Sequence, residues 1–256
     1  MKKILSLIAV VTLVGTAAYA QEDKQVFNHL AAGVTLGIDG VGLELATTLT
    51  PYVQVRGGYS IFPYTYKRTE TLSLDLGEGP ESVDVPLGAT LWKGGNGKLL
   101  FDLFPGKNTG FHFTLGAYMG SCRFISAYGD TSSYLDPSDY ANTEVEYNGV
   151  AVTTDPNGFI IVDAQTKLGS IMPYAGIGFG RAITPSNRVK VTFDLGVLYT
   201  GGLNFQTYNY ANPQKEAKPV VITSANLNNE DQGWVDKLSA FPVLPMLKFN
   251  IFFRIF

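Results

Sequence analysis

The chain has very little of two residues on which many exported proteins and enzymes depend. Its 256 residues include one cysteine, Cys122, and two histidines, His29 and His112. A lone cysteine excludes an intramolecular disulfide, so a disulfide scaffold does not hold the fold together. The acidic residues match no EF-hand spacing, and the sequence predicts neither a metal site nor a cofactor.

Charge and long apolar runs are also scarce. Charged residues make up 16% of the chain and the formal net charge is −3, which gives no reason to expect a nucleic-acid partner. After the N-terminal segment, no apolar run reaches the ~18 residues of a transmembrane helix. A chain with little charge, no disulfide and no spanning helix must be stabilised in another way.

The N-terminal segment has the features of an export signal. Two lysines precede an apolar run at 4–14, which is too short to span a bilayer as a helix. A small-x-small cleavage site follows at 18–20. We predict a cleaved signal peptide at 1–20 and a short periplasmic tail at 21–28. No cysteine follows the cleavage site, so a lipoprotein anchor is not expected.

Apolar and polar residues alternate with period two along the rest of the chain, which is typical of strands with two different faces. Turn residues separate the alternating segments. The spacing predicts eight strands, at about 29–37, 41–50, 52–64, 97–104, 111–124, 169–182, 189–200 and 242–256.

The two faces of these strands differ in chemistry. One face is almost entirely apolar, whereas the other mixes glycine with charged and polar residues. Apolar residues outside and polar residues inside are typical of a membrane β-barrel, which crosses lipid with every backbone group paired. We therefore predict an all-β fold, an eight-stranded antiparallel transmembrane β-barrel over 29–256. The inward charges are expected to pair as a structural network that fills the lumen: Glu44, Arg56, Asp102, Lys190, Asp194, Lys248 and Arg254.

Tight turns alternate with long loops between the predicted strands. The loops occupy about 65–96, 125–168 and 201–240, and hairpin signals such as Asn148-Gly149 predict that they are partly β-structured. Short turns on one side and long loops on the other are typical of outer-membrane barrels. This pattern puts both termini in the periplasm and the long loops outside the cell.

The segment NGKLLFDLFPGKNTGFHFTLGAYMG, at 96–120, and the alternating C-terminal strand carry a family resemblance. The chain resembles the small eight-stranded outer-membrane β-barrel proteins of Gram-negative bacteria, of the OmpA/OmpX-like size class. More narrowly, it is similar to the barrel family of Bacteroides-type bacteria. The resemblance implies outer-membrane lipid and lipopolysaccharide as surroundings, and barrel-insertion machinery as a partner during assembly. It also implies a C-terminal assembly signal, here one residue out of phase with the final aromatic: Phe249, Ile251, Phe253, Ile255 and Phe256.

Three kinds of function remain open for such a barrel. The sequence favours a non-enzymatic role, either structural or binding a membrane protein, a host surface or a glycan through the loops. A narrow, porin-like channel for ions or small solutes is the first alternative. An outer-membrane lipid-modifying enzyme is the second alternative. Such an enzyme would need a histidine base beside a serine. Both histidines, however, start strands at the periplasmic end, away from the outer leaflet.

Other residues receive structural interpretations. Cys122 is expected to be a small filler near the top of the fifth strand, and the acidic residues of the second loop are expected to form a solvated surface. Aromatic residues near the strand ends are predicted to form interfacial girdles: Tyr52, Phe62, Tyr64, Phe101, Phe111, Phe124 and Tyr199.

Overall fold

A computed structural model gives the fold. It describes residues 29–75, 80–141, 144–147, 150–184, 187–211, 214, 216–222, 233, 236–237 and 239–255. The predicted signal peptide, the tail at 21–28 and Phe256 lie outside the described residues. Within the part of the chain that the structure describes, no helix has the length and apolar character needed to cross a membrane.

Eight strands form a closed antiparallel barrel, as the alternation predicted. The ring closes because the first and last of these strands pair, which places Val34 opposite Ile251. The barrel strands, in ring order starting from the N-terminus, are β1 (Leu30–Gly37), β2 (Gly40–Thr50), β3 (Val53–Ile61), β6 (Asn96–Leu103), β7 (Phe111–Gly120), β12 (Ile171–Phe179), β13 (Val189–Tyr199) and β16 (Val243–Arg254).

The three long loops together build a second sheet of eight strands. Its order is β10, β9, β4, β5, β8, β11, β14, β15, so strands from different loops pair with one another. We call it the upper sheet. Its strands are β4 (Thr65–Asp75), β5 (Pro80–Leu91), β8 (Arg123–Asp130), β9 (Glu144–Tyr147), β10 (Val150–Thr153), β11 (Phe159–Thr166), β14 (Leu203–Asn209) and β15 (Lys218–Ile222).

Side chains of the barrel strands alternate strictly between the wall and the lumen. On β2, Leu43 and Leu45 are exposed, whereas Glu44 and Ala46 between them are buried. The same alternation continues along β16, where Leu247, Phe249, Ile251 and Phe253 are exposed and Met246, Lys248, Asn250 and Phe252 between them are buried. Every barrel strand therefore has an apolar outer face and a buried inner face that carries the charged and polar side chains. A water-soluble barrel has the opposite arrangement.

Three barrel strands end at least three residues earlier than the alternation predicted, and the third of the eight stops at Ile61. The fifth predicted strand stops at Gly120, whose φ of +147° is a conformation that favours glycine, so Cys122 lies in the junction to β8. The sixth stops at Phe179, because Gly180 has a φ of +96° and turns the chain inward. Ile183 is consequently buried at the barrel end, where its carbonyl accepts a hydrogen bond of 2.8 Å from Gln54.

Inward glycines make room for large inward side chains. A Cβ on Gly33 would collide with the ring of Phe252, and one on Gly178 would collide with His112 and Asp194. A barrel of eight strands has space for about one set of interior side chains. The glycine-rich inner face noted in the sequence is thus the packing complement of bulky neighbours.

Candidate functional site

The barrel lumen contains a cluster of buried charges centred on Arg56 of β3. Its guanidinium donates to both carboxylate oxygens of Asp194, at 2.8 and 3.0 Å, and to Asp102 Oδ1 at 2.9 Å. Its Nη1 also lies 3.5 Å from Glu44 Oε2. These four side chains are at most 3% exposed, so one cation links carboxylates from three other strands.

A second cation, Lys98 of β6, extends this cluster toward the loops. Its Nζ lies 2.8 Å from Glu44 Oε1 and 3.0 Å from Asp39 Oδ2, and it donates to Ser60 Oγ at 2.9 Å. Neither Lys98 nor Asp39 was predicted from the sequence to join the lumen charges. The signal for Lys98 was present, because it shares the inward phase of β6 with Asp102, whereas Asp39 lies in a tight turn where alternation says nothing.

His112 of β7 also joins the charged cluster. Its Nε2 lies 3.1 Å from Asp194 Oδ1 and 3.8 Å from Asp102 Oδ1. Asp194 accepts a further hydrogen bond of 2.9 Å from Asn250, and Asp102 accepts one of 2.8 Å from Thr114. Each aspartate is therefore held by several donors, as a buried carboxylate requires.

The ligand atoms of Asp102, His112 and Asp194 lie within 4.8 Å of one another, which is the spacing of a candidate metal site. A metal ion there would compete with the Arg56 guanidinium for the same carboxylate oxygens. The arrangement suits charge pairing better than metal binding.

The lumen also contains two apolar clusters that the sequence did not predict. The lower cluster lies at the end of the barrel where the described chain begins and consists of Ala31, Ala46, Ala182, Ile183 and Phe252. The upper cluster lies toward the loops and consists of Trp92, Leu100, Tyr118, Met172, Tyr174, Leu198 and Met246. On the inner face of β16, Lys248 lies between Phe252 of the lower cluster and Met246 of the upper cluster. A buried charge therefore separates the two clusters.

The structure divides the predicted lumen charges into three groups. Glu44, Arg56, Asp102 and Asp194 come together directly. Lys248 is fully buried, but its Nζ has no hydrogen-bond partner among the described residues.

The remaining two predicted charges lie at the lower end of the barrel. Lys190 is half-buried and lies opposite Phe252 in the register of β13 and β16. Arg254 is also half-buried and donates to the carbonyl of Thr184 at 2.9 Å. The C-terminal residues predicted as an assembly signal, Phe249, Ile251, Phe253 and Ile255, are exposed on the outer wall.

Arg181 connects the turns at the lower end of the barrel through hydrogen bonds to their backbone carbonyls. It donates to the carbonyls of Gly106 at 2.7 Å, Thr109 at 2.8 Å and Pro51 at 3.1 Å. Its guanidinium also lies 3.8 Å from the ring centre of Phe104. Partial burial lowers the pKa of Arg181 from its usual value, but an arginine remains charged at neutral pH.

The upper sheet presents a line of polar side chains on one face. We call this line the polar row; its members are cross-strand neighbours on β4, β5, β8, β11 and β14: Thr65, Thr90, Ser126, Asp163 and Gln206. Tyr208 donates to Asp163 Oδ2 at 2.6 Å and accepts from Gln206 at 2.9 Å. Burial, followed by the hydrogen bond to Asp163, raises the pKa of Tyr208.

Two sequence interpretations of the loop side are wrong at particular residues. Phe124 and Phe62 pack against the upper cluster instead of forming a girdle, and the Phe124 ring centre lies 5.0 Å from that of Trp92. Asp163 and Asp155, expected on a solvated acidic surface, are buried. Asp155 instead caps its own turn by accepting from the backbone of Asn157 and Phe159.

Comparison with known proteins finds solved structures that cover most of the chain at low sequence identity. No protein-family model matches the chain, and no curated protein matches it. The solved structure of CarO2 from Acinetobacter baumannii is similar over 90% of this chain and 100% of its own, with 18% identity and a TM-score of 0.49. The structure of CarO from the same organism covers 91% of this chain and 99% of its own, with 17% identity and a TM-score of 0.45.

Proposed function

We propose that this chain is an integral outer-membrane protein whose barrel is a closed anchor and whose upper sheet binds a partner at the cell surface. The observation that carries the membrane assignment is the outer wall of the barrel. Large apolar side chains are exposed on all eight barrel strands, including Leu43, Phe113 and Ile171. Soluble monomers rarely expose a contiguous apolar surface of this extent, whereas lipid requires one. The export signal predicted from the sequence agrees with this location.

The closed lumen supports an anchor over a channel. The charges of its central part, from Asp102 to Asp39, are at most 3% exposed, and apolar clusters lie on both sides of Lys248. An ion entering the lumen would have to displace packed apolar side chains and break ion pairs that satisfy the buried charges. Both changes carry a high free-energy cost.

The same burial argues against catalysis in the lumen. His112 is the one histidine with carboxylate neighbours among the described residues, and it is 1% exposed. A lipid substrate in the outer leaflet would have to reach it through the packed interior. A non-enzymatic function is therefore the one that this arrangement supports best.

The upper sheet supports a binding role. Loops that pair with one another form a fixed surface, so binding of a partner does not carry the entropy cost of ordering them. The half-buried members of the polar row, Thr65, Thr90 and Gln206, offer hydroxyl and amide groups. The half-exposed Arg123 lies beside the row, with its guanidinium 3.9 Å from Oδ2 of the buried Asp163. Such a surface suits a glycan, a host surface or another membrane protein.

Planar-bilayer recording tests the closed barrel. We expect the full chain to insert without ion-current steps. The matched positive control is the double variant Trp92→Ala, Phe252→Ala, which removes one bulky residue from each apolar cluster and should conduct. A stable conductance of the unmodified chain would overturn the anchor and favour the channel.

Extraction from native outer membranes in mild detergent tests the binding role. We expect a stoichiometric companion that is lost from the double variant Arg123→Ala, Gln206→Ala. The control variant Asp136→Ala, Asp139→Ala changes exposed acidic residues of the same loop region and should retain it. If no companion is found, or if both variants keep it, the polar row is not the binding surface.

A further inference from the structure

The segment at 180–184, which follows β12, folds inward across the lower mouth of the barrel. Gly180, with a φ of +96°, turns the chain away from the wall. Ala182 and Ile183 are each 3% exposed and belong to the lower cluster inside the lumen. The segment reaches the opposite side of the ring, where Gln54 of β3 donates to the Ile183 carbonyl at 2.8 Å. We call residues 180–184 the stopper.

Polar contacts with three other parts of the barrel hold the stopper in place. Arg181 donates to three carbonyls in the β2–β3 and β6–β7 turns, and its guanidinium lies 3.8 Å from the ring centre of the buried Phe104. Arg254 of β16 donates to the Thr184 carbonyl at 2.9 Å. The acceptors in these hydrogen bonds are backbone carbonyls, so each bond makes a modest net contribution and can be exchanged for another.

The wall of the barrel has an unpaired strand edge directly beside the stopper. The register of β12 with β13 ends at Phe179 opposite Phe193. β13 continues below this point to Val189 and pairs over 189–192 with β16. On its other side, no described residue pairs with 189–192. If residues 180–183 were extended, they would continue the same antiparallel register and would pair with this edge.

The sequence of the stopper suits this extended path as well as the inward one. The alternation of the chain predicted a strand that continues to 182. Because successive side chains of a strand point to opposite faces, Ile183 would then lie on the outer wall beside the exposed Val189. The extended path would exchange the polar contacts and the burial of Ala182 and Ile183 for ladder hydrogen bonds and contact with lipid. A segment with two such packings is a bistable element.

We propose that the stopper is a conformational switch that opens and closes the lower mouth of the barrel. The structure shows the closed state. In the open state, residues 180–183 extend β12 along the unpaired edge of β13, and the lower half of the lumen is accessible from below. The upper cluster takes no part in this change, so the open state gives access from one side without conduction. Failure of the switch would therefore leave the closed anchor intact.

Disulfide trapping in the full chain tests for the open state. The test pair is Ile183→Cys with Val189→Cys, in the background Cys122→Ser. These two positions are opposite each other on the outer wall only when β12 is extended, since Ile183 is inside the lumen in the closed state. The positive control is Ile177→Cys with Leu195→Cys, which are already opposite each other.

The rates of cross-linking decide between the two states. We expect the control pair to cross-link rapidly and the test pair to cross-link more slowly. Adding Gln54→Leu removes the hydrogen bond to the Ile183 carbonyl and should speed cross-linking of the test pair by about tenfold. A test pair that stays reduced both with and without this change overturns the proposal.

Thiol labelling gives a second readout that separates opening from unfolding. In the background Cys122→Ser, Ala46→Cys reports on the lower cluster and Leu198→Cys on the upper cluster, and both positions are buried. Gly180→Val disfavours the positive φ of the closed state and suits an extended strand. We expect it to raise labelling of the lower reporter by about tenfold and to leave the upper reporter unchanged.

The matched control for labelling is Lys107→Ala, which changes an exposed cation of the β6–β7 turn and should alter neither reporter. An unchanged lower reporter in Gly180→Val contradicts the switch. Equal increases in both reporters would show a general loosening of the barrel, and they also contradict it.

Discussion

Replacing Arg56 with methionine should be among the most damaging single changes in the barrel. Methionine has a similar length, so the change removes the charge and its hydrogen bonds while leaving most of the volume. Asp194 loses two hydrogen bonds and Asp102 loses one. Removing one member of a buried ion pair costs about 3–5 kcal/mol, because the partner is left buried and uncompensated.

The neighbours of Arg56 limit how large this loss becomes. Asp194 keeps its bond from Asn250, Asp102 keeps its bond from Thr114, and Lys98 remains 2.8 Å from Glu44. We therefore expect a loss of unfolding free energy of about 3–5 kcal/mol rather than complete failure to fold. Urea unfolding in detergent micelles, followed by the fluorescence of buried Trp92, measures it.

Arg123→Met is the matched control for the same substitution at the surface. The Arg123 side chain is 45% exposed and 3.9 Å from Asp163 Oδ2, and exposed pairs of this kind contribute about 0–1 kcal/mol. A loss below about 1 kcal/mol in Arg56→Met would show that the buried cluster is not a tightly coupled ion-pair network. The reasoning about the lumen would then be wrong.

Three further changes probe other parts of the molecule in the same unfolding assay. Arg181→Ala removes three hydrogen bonds to turn carbonyls and should cost about 1–3 kcal/mol; an unchanged midpoint would mean that the turns hold without it. Gly178→Ala forces a methyl group against His112 and Asp194 and should cost about 1–3 kcal/mol, whereas no loss would indicate a loosely packed lumen. The raised pKa of Tyr208 means that the folded state holds this proton more tightly, so its stabilisation is present below the ordinary tyrosine pKa of about 10 and is lost as pH rises through the raised value. Tyr208→Phe should therefore flatten part of the alkaline loss of stability, and identical pH profiles would contradict this.

Period-two alternation was sufficient to predict the barrel and the direction of its side chains. Successive residues of a strand point to opposite faces, so Leu43 and Glu44 could be assigned to wall and lumen without a structure. The same rule also applies to Lys98, which shares the phase of Asp102 on β6 but was not predicted as a lumen charge. It failed at strand ends, because the positive φ of Gly120 and Gly180 changes the direction of the chain where the sequence still alternates.

The contents of the lumen depended on three-dimensional register. Alternation gives the side of a side chain but not its height in the barrel, and strand tilt and stagger decide which residues from different strands meet. Arg56 meets Asp194, 138 positions later in the chain, only because the closed ring brings β3 and β13 across from each other. Sequence spacing contains no information about such a contact.

The upper sheet shows the same division. Hairpin signals in the loops predicted local β structure, since a turn and its two strands are close in sequence. They did not predict that β5 pairs with β8, and β11 with β14, across different loops to align the polar row. The sequence alone determined that this chain forms a barrel with an apolar wall and a polar inner face. Only the tertiary structure decided that apolar clusters close the lumen and that the loops join into one sheet, because both depend on contacts between residues far apart in the chain.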